Sequence, residues 1–243
     1  MAFPVAAGEG RAAVDAMRAF RVEGLSVTMP HKADVADAVD RLSPTAERLG
    51  AVNTVLWRSG ALVGENTDGD GFLDALRVDE GFEPEGRRCL VLGAGGAARA
   101  VVVALGAAGA ADVVVVNRSP ERAEVAAALS PAARVGVPGD AGEADLVVNA
   151  TPVGMDGVDR LPIDAVHLGS GQLVVDLIYR PAITPLIEAA RATGAAATNG
   201  LGMLIHQAAH AFRLWTGEDP PLEAMSAAAL AALTSSAGRS PTP

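Results

Sequence analysis

Apolar positions along the chain fall into two regimes, and the change from one to the other divides it. In the first part the pattern is mixed. Val14, Met17 and Phe20, with Arg18 on the polar side, recur at helical spacing behind Gly8-Glu9-Gly10, so an amphipathic helix is expected there. Residues 25–29 read as a short strand that Pro30 stops, because proline has no N–H to give a ladder. A helix follows through Val35, Ala38 and Val39, and another starts at Ser43-Pro44 and runs to Leu49. Two apolar runs, 51–57 and 61–64, flank Arg58-Ser59-Gly60, which is a hairpin signal. A polar, glycine-rich cluster at 65–71 then precedes a helix over 72–76, and the polar stretch 79–87 connects onward.

From residue 88 the pattern turns regular. Strands are expected at 90–92, 112–116, near 134–137, 145–149 and 172–177, and helices at 97–107, 121–129, 183–192, 201–215 and 222–233. Continuous apolar strands alternating with helices predict a parallel sheet covered on both faces. Residues 235–243, rich in Ser, Gly and Pro, are expected to fray. The chain carries no internal repeat.

Composition narrows the class. At 243 residues the chain can bury a sizeable core in one or two domains. Half of it is hydrophobic, carried by Ala and Val rather than by aromatics, which suits tightly packed α/β architecture. A net charge of −10 argues against nucleic acid or a membrane surface as partner. An anionic ligand therefore needs locally placed Lys or Arg. The single cysteine, Cys89, allows no internal disulfide and starts an apolar strand, so it reads as a buried structural residue in a reducing compartment. No apolar run approaches the ~18 residues of a membrane span. The N-terminus lacks the pattern of a signal peptide, so a cytoplasmic protein is expected.

One corner carries recognisable chemistry. Gly93, Gly95 and Ala98 stand at the spacing of the dinucleotide fingerprint: a tight turn, a close approach of backbone N–H groups to a pyrophosphate, and close helix–strand packing. The following strand ends in Asn117-Arg118-Ser119-Pro120-Glu121-Arg122. An NAD site usually places an acidic residue there for the ribose 2′-hydroxyl. Asn117 and Arg118 stand in its place, and Arg118 with Arg122 one turn on would pair with a 2′-phosphate, so the cofactor expected is NADP(H). His206 and His210 are one helical turn apart, but without a third ligand they are read as structural, and no metal is expected.

Several motifs in order then resemble the shikimate dehydrogenase family over essentially the whole chain. They are Val27-Thr28-x-Pro30-x-Lys32, Gly50-Ala51-Val52-Asn53-Thr54, Asn66-Thr67-Asp68-Gly69 and the glycine turn Gly93-Ala94-Gly95-Gly96-Ala97. Further along come Asn149-Ala150-Thr151-Pro152, Asp176-x-x-Tyr179-x-Pro181 and Asn199-Gly200-Leu201-Gly202-Met203-Leu204-x-x-Gln207. The resemblance implies reversible NADP-dependent conversion of 3-dehydroshikimate to shikimate, in aromatic amino acid biosynthesis. It implies Lys32 and Asp68 as the catalytic pair, and Thr28, Asn53, Asp68, Tyr179 and Gln207 as substrate contacts. For the cofactor it implies Gly93, Ala94, Gly95, Gly96, Ala97, Asn117, Arg118, Ser119, Arg122, Thr151, Leu177 and Gly200. Taken alone, Lys32 reads as a surface charge and Asp68 as a helix N-cap.

The fold implied is α/β: a Rossmann-type NADP-binding domain over 73–202 and a discontinuous α/β substrate domain over 1–72 and 203–243, with a cleft between them. A homodimer is the candidate assembly. The match departs from the family at its start. The family's first strand and Ser-x-Ser segment have no counterpart, which places about forty family residues ahead of Met1. The expectation is a cofactor domain that works and weak substrate binding by this span alone. Steady-state kinetics beside a chain extended upstream tests it, and equal kcat/KM for the two overturns it. Two rival readings are a quinate/shikimate dehydrogenase paralogue, which would carry an acid at Asn117 or Arg118 if it preferred NAD, and a cofactor-binding relative without turnover.

Overall fold

Two hydrophobic patterns give two units in the computed structural model, which describes residues 1–155 and 160–236. One unit is Met1–Asp68 with Gln207–Pro220; the other is Gly69–His206 with the chain from Pro221 onward. These divisions fall four residues away from those read off the sequence at both 68/69 and 206/207, and the last helix groups with the second unit.

In the first unit, α1 (Gly10–Phe20) and β1 (Gly24–Ser26) are followed by α2 (Lys32–Ala36), β2 (Arg41–Leu42), α3 (Pro44–Leu49), β3 (Thr54–Arg58) and β4 (Ala61–Glu65). The sheet order is β1-β3-β4-β2, antiparallel except for β2 on β4. Val14 and Met17 of α1 pack with Val35, Ala46, Val52, Val55 and Leu62 into one core. Helix α3 starts where its sequence says: the Ser43 hydroxyl accepts the Ala46 N–H at 3.2 Å and Pro44 follows at the first helical position. The hairpin turns at Ser59 (φ 51°) and Gly60 (φ 78°), the two left-handed positions that a two-residue turn matching strand twist requires. Strand β1 is shorter than the 25–29 expected. After Val27 donates to the Asn53 carbonyl at 2.7 Å, the chain leaves the ladder in a turn closed by His31 N–H on the Thr28 carbonyl at 3.1 Å. Strand β2 lies outside the expected elements, because two residues carry no period.

In the second unit, α4 (Asp68–Asp74) opens at the boundary residue itself, four residues ahead of the helix expected at 72, and runs into a π-helical turn, Ala75–Asp79. Then come β5 (Arg88–Leu92), α5 (Gly96–Ala107), β6 (Asp112–Val116), α6 (Pro120–Ala127), β7 (Ala133–Val135) and β8 (Leu146–Asn149). After them follow β9 (Leu173–Asp176), α7 (Pro185–Ala192), β10 (Ala196–Asn199), α8 (Leu201–Thr216) and α9 (Leu222–Ser236). All six strands are parallel, in the order β10-β9-β8-β5-β6-β7. Cys89 and Val91 face one core with Phe72, Val101 and Leu105; Leu90 and Leu92 face another with Ile163 and Leu186. Opposite faces of one strand are thus both dry, as a parallel sheet between helix layers demands. Burial pushes the Cys89 thiol up to about 12, which keeps it protonated and inert.

Strand β10 is absent from the expected elements because Ala196-Ala197-Thr198-Asn199 lacks an apolar run. It forms by parallel pairing with β9 at the sheet edge. Ser235 and Ser236 continue α9, and the remainder of the stretch expected to fray, 237–243, lies outside the described residues. Among the described residues no helix is long and apolar enough to cross a membrane.

Candidate active site

The first unit gathers its polar residues around Asn53. Two backbone hydrogen bonds fix this residue, Val27 N–H to the Asn53 carbonyl at 2.7 Å and Asn53 N–H to the Glu65 carbonyl at 3.0 Å, and the neighbouring Val52 N–H donates to the Lys32 carbonyl at 2.9 Å. The Asn53 amide nitrogen reaches Asp68 Oδ1 at 2.8 Å, Thr67 Oγ1 at 3.0 Å and Gln207 Oε1 at 3.3 Å. Its amide oxygen accepts the Thr67 N–H at 2.9 Å and the Thr54 hydroxyl at 3.0 Å. Asn53 is 1 % exposed, so the network is dry and its bonds are strong.

Lys32 Nζ meets the other carboxylate oxygen, Asp68 Oδ2, at 2.5 Å. The Asp68 side chain is 6 % exposed and that of Lys32 20 %, so the ammonium is the member of the pair that solvent can reach. Asp68 is held from three sides. Asn53 and Lys32 take its two oxygens, and its own N–H donates to Asn66 Oδ1 at 3.1 Å. Asn66 and Thr67, which share a motif with Asp68 but carry no expected role, supply the brace. Thr67 Oγ1 donates to the Gln207 carbonyl at 3.0 Å, and Asn66 Nδ2 donates to the Ala51 carbonyl at 2.9 Å. Lys32, Asn53, Asp68 and Gln207 are therefore brought together as expected neighbours. Thr28 is exposed on the turn before Lys32, and its carbonyl closes that turn.

The second unit builds a different site at the carboxyl ends of its strands. Strand order reverses between β5 and β8, the switch point where open α/β sheets bind ligands. Gly93 leaves β5 with φ 112°, and its absent Cβ would stand 3.0 Å from the Ala150 carbonyl oxygen, so glycine alone fits. A Cβ on Gly95 or Gly96 would meet nothing within 4 Å, so the backbone there is open to a ligand. No side chain caps α5 and no acid stands in its first turn. The uncapped N–H groups and the positive end of the helix fit a pyrophosphate. Ala94 and Ala97 lie in the same turn and first helical turn, half-buried.

Beyond β6, Asn117 Nδ2 donates to the Ser119 carbonyl at 2.9 Å and tightens the turn into α6. The Ser119 hydroxyl is engaged twice, accepting the Arg122 N–H at 3.4 Å and donating to Glu121 Oε2 at 2.6 Å. Arg118 and Arg122 are exposed, and among the described residues no carboxylate pairs with either. Two unpaired guanidinium groups at the positive end of a helix suit a dianionic phosphate.

A buried carboxylate orders the neighbouring loops. Asp176, at the end of β9, accepts from Asn149 Nδ2 at 2.9 Å, from the Thr184 hydroxyl at 2.6 Å and from the Ile178 N–H at 3.1 Å. Burial raises its pKa above the ordinary carboxylate value, against the pull of those three donors. Asn149 in turn accepts from the Thr151 hydroxyl at 2.7 Å and the Thr151 N–H at 3.0 Å. Leu177 and Gly200 are pressed together: a side chain on Gly200 would collide with the Leu177 backbone. Tyr179 belongs to this unit and is 40 % exposed. His206 takes Asp79 as its partner at 3.3 Å, and among the described residues no group of three or more His, Cys, Asp or Glu side chains could hold a metal.

Comparison with known proteins decides what this geometry belongs to. The family model for the shikimate dehydrogenase substrate binding domain matches residues 1–55, that for shikimate/quinate 5-dehydrogenase matches 78–152, and that for the shikimate 5′-dehydrogenase C-terminal domain matches 200–230. Shikimate dehydrogenase (NADP(+)) of Citrifermentans bemidjiense is 46 % identical, over 96 % of this chain and 84 % of its own. The chain belongs to the shikimate dehydrogenase family. Shikimate 5-dehydrogenase of Thermus thermophilus, solved in complex with NADP(H) and shikimate, superposes with a TM-score of 0.87 at 42 % identity, covering 95 % of this chain and 86 % of that one. A shikimate dehydrogenase solved with NADP+ gives a TM-score of 0.88 at 33 % identity, over 95 % and 84 % of the two chains. As a shikimate dehydrogenase family member, the chain has the expected α/β fold with a parallel Rossmann-like sheet.

Proposed function

We propose that the chain catalyses the reversible NADP-dependent reduction of 3-dehydroshikimate to shikimate, with Lys32 and Asp68 as its catalytic pair. The observation that carries the reading is the Lys32–Asp68 contact at 2.5 Å, braced by Asn53. The glycine turn Gly93–Ala97 would hold NADP(H), which would supply the hydride in the reduction and take it up in the reverse direction. As the ketone carbon takes that hydride, negative charge grows on its oxygen, and the Lys32 ammonium neutralises it and delivers a proton. In the oxidation direction the Lys32 amine receives the proton of the shikimate hydroxyl. Asp68 positions the ammonium and stabilises its charge through the contact of its Oδ2 with Lys32 Nζ.

Substrate hydroxyls and carboxylate are assigned to Thr28, Asn53, Asp68, Tyr179 and Gln207. The cofactor is assigned to the turn Gly93, Ala94, Gly95, Gly96, Ala97, to Asn117, Arg118, Ser119 and Arg122 for the 2′-phosphate, and to Thr151, Leu177 and Gly200 for the nicotinamide end. On this assignment Met1–Asp68 with Gln207–Pro220 is the substrate unit and Gly69–His206 the cofactor unit. The one thiol, buried and unpaired, accords with a reducing compartment, and we assign the enzyme to the cytoplasm.

Shikimate oxidation with NADP+ or NAD+, with quinate offered as a competing substrate, tests the reading. The expected result is turnover of shikimate with NADP+ preferred. NADP+ binding without turnover of either compound overturns it, and preferred oxidation of quinate with NAD+ replaces it with the paralogue.

A further inference from the structure

Arg99 is the fourth residue of α5, in the first turn of the helix that begins at the glycine corner. Its Nε is buried and has no hydrogen-bond partner, and among the described residues no carboxylate pairs with its guanidinium. This is an unusual state for a cation. Half-buried charges are ordinarily paired, and a positive charge in the first helical turn also opposes the helix dipole. The first turn of α5 contains no acid to relieve it.

The backbone says where the side chain can reach. A helical side chain leans toward the N-terminus and covers the residues three and four positions earlier. For Arg99 these are Gly96 and Gly95, the two glycines over which a Cβ would meet nothing within 4 Å. The Arg99 N–H donates to the Gly95 carbonyl at 2.9 Å, so the helical register that sets this relation is in place. No side chain, that of Arg99 included, comes within 4 Å of a Cβ built on either glycine, so the uncapped helix start is bare and Arg99 stands one turn along from it.

We infer that Arg99 is a cofactor-binding residue whose guanidinium pairs with the pyrophosphate of the dinucleotide, alongside the backbone N–H groups of the glycine turn. The inference rests on the NADP reading of this site. It gives the site a division of labour by phosphate: Arg118 and Arg122, beyond β6, take the 2′-phosphate, and Arg99, in the first turn of α5, takes the bridge common to NADP and NAD. A phosphate oxygen there satisfies the orphaned charge and the helix terminus together.

The test compares probes that carry different phosphates. Dissociation constants are measured by calorimetric titration of the whole chain and its Arg99→Met and Arg99→Lys variants with NADP+, NAD+ and adenosine 2′-monophosphate, which has no pyrophosphate. Thermal unfolding of each ligand-free variant is recorded alongside. Loss of one charge-assisted phosphate contact weakens NADP+ binding by Arg99→Met roughly 10- to 100-fold, with NAD+ weakened by the same factor. Adenosine 2′-monophosphate binding stays unchanged, and Arg99→Lys recovers part of the loss because lysine keeps the charge without the fork. Unchanged NADP+ affinity in Arg99→Met overturns the assignment, and so does an equal loss for all three ligands with a lowered melting temperature, which is the mark of a structural role. A wild-type chain that binds neither dinucleotide overturns the NADP reading itself, and Arg99 with it; a wild-type chain that binds both, with Arg99→Met unaffected, overturns Arg99 alone.

Discussion

Lys32→Ala lowers kcat for shikimate oxidation by about 10²- to 10⁴-fold, the range over which a positioned general acid or base accelerates a reaction. NADP+ affinity stays at the wild-type value, because the residues assigned to the dinucleotide do not include Lys32. Stability falls too, by a bounded amount. Removing one partner of a fully buried ion pair costs about 3–5 kcal/mol. Here the Lys32 side chain is 20 % exposed, and Asp68 keeps its 2.8 Å hydrogen bond from Asn53, so the cost lies below that range. Steady-state kinetics with a dinucleotide titration and a melting curve separate these effects. A folded Lys32→Ala variant with wild-type kcat removes Lys32 from the chemistry. An equal drop in kcat for Asp68→Asn, with the lysine still present, assigns the proton transfer to the pair rather than to either member.

Arg118→Glu weakens NADP+ binding roughly 10- to 150-fold, the worth of a hydrogen-bonded charge pair with phosphate, and leaves NAD+ binding near its wild-type value. The reversal places a carboxylate where NAD sites hold one, so the preference between the two dinucleotides shifts toward NAD+. Arg118 is exposed and has no ion-pair partner among the described residues, so the melting temperature stays put. Surface substitutions of this kind change stability by less than about 0.5 kcal/mol. Competition between NADP+ and NAD+ at fixed shikimate concentration reads the shift directly. Equal losses for both dinucleotides would move Arg118 off the 2′-phosphate. The pattern is the opposite of that expected at Arg99, and the two variants measured together divide the phosphate contacts between the two arginines.

Local chemistry made much of this molecule legible in its residues. Ser43-Pro44 announces α3 and Ser59-Gly60 announces a hairpin, because each motif satisfies a specific backbone need with adjacent residues. The valine run of β6 is buried from Val113 to Val115 in a parallel sheet, and the spacing of Gly93, Gly95 and Ala98 marks the turn that follows β5. Asn117 and Arg118 point to a 2′-phosphate because the sign of a charge needs no fold to be read. Failures cluster where pairing partners are distant. Strand β10 exists because β9 offers an open edge, and nothing in Ala196-Ala197-Thr198-Asn199 carries that information. The early end of β1 follows from a turn at Thr28 to His31 that propensity does not foresee.

The candidate active site divides along the same line. By itself the sequence determined the α/β class, the dinucleotide corner, and Lys32 and Asp68 as residues worth naming, since periodicity, glycine spacing and motif order are properties of neighbours in the chain. Only the tertiary structure decided that Asn53 would be the hub, touching residues 14 and 15 positions away and another 154 positions away. It also decided that Asp68 would be buried while Lys32 keeps contact with solvent, and that Arg99 Nε would be buried with no hydrogen-bond partner among the described residues. Burial and pairing are set by which distant segments the folded core brings into contact, and a one-dimensional pattern holds no record of that.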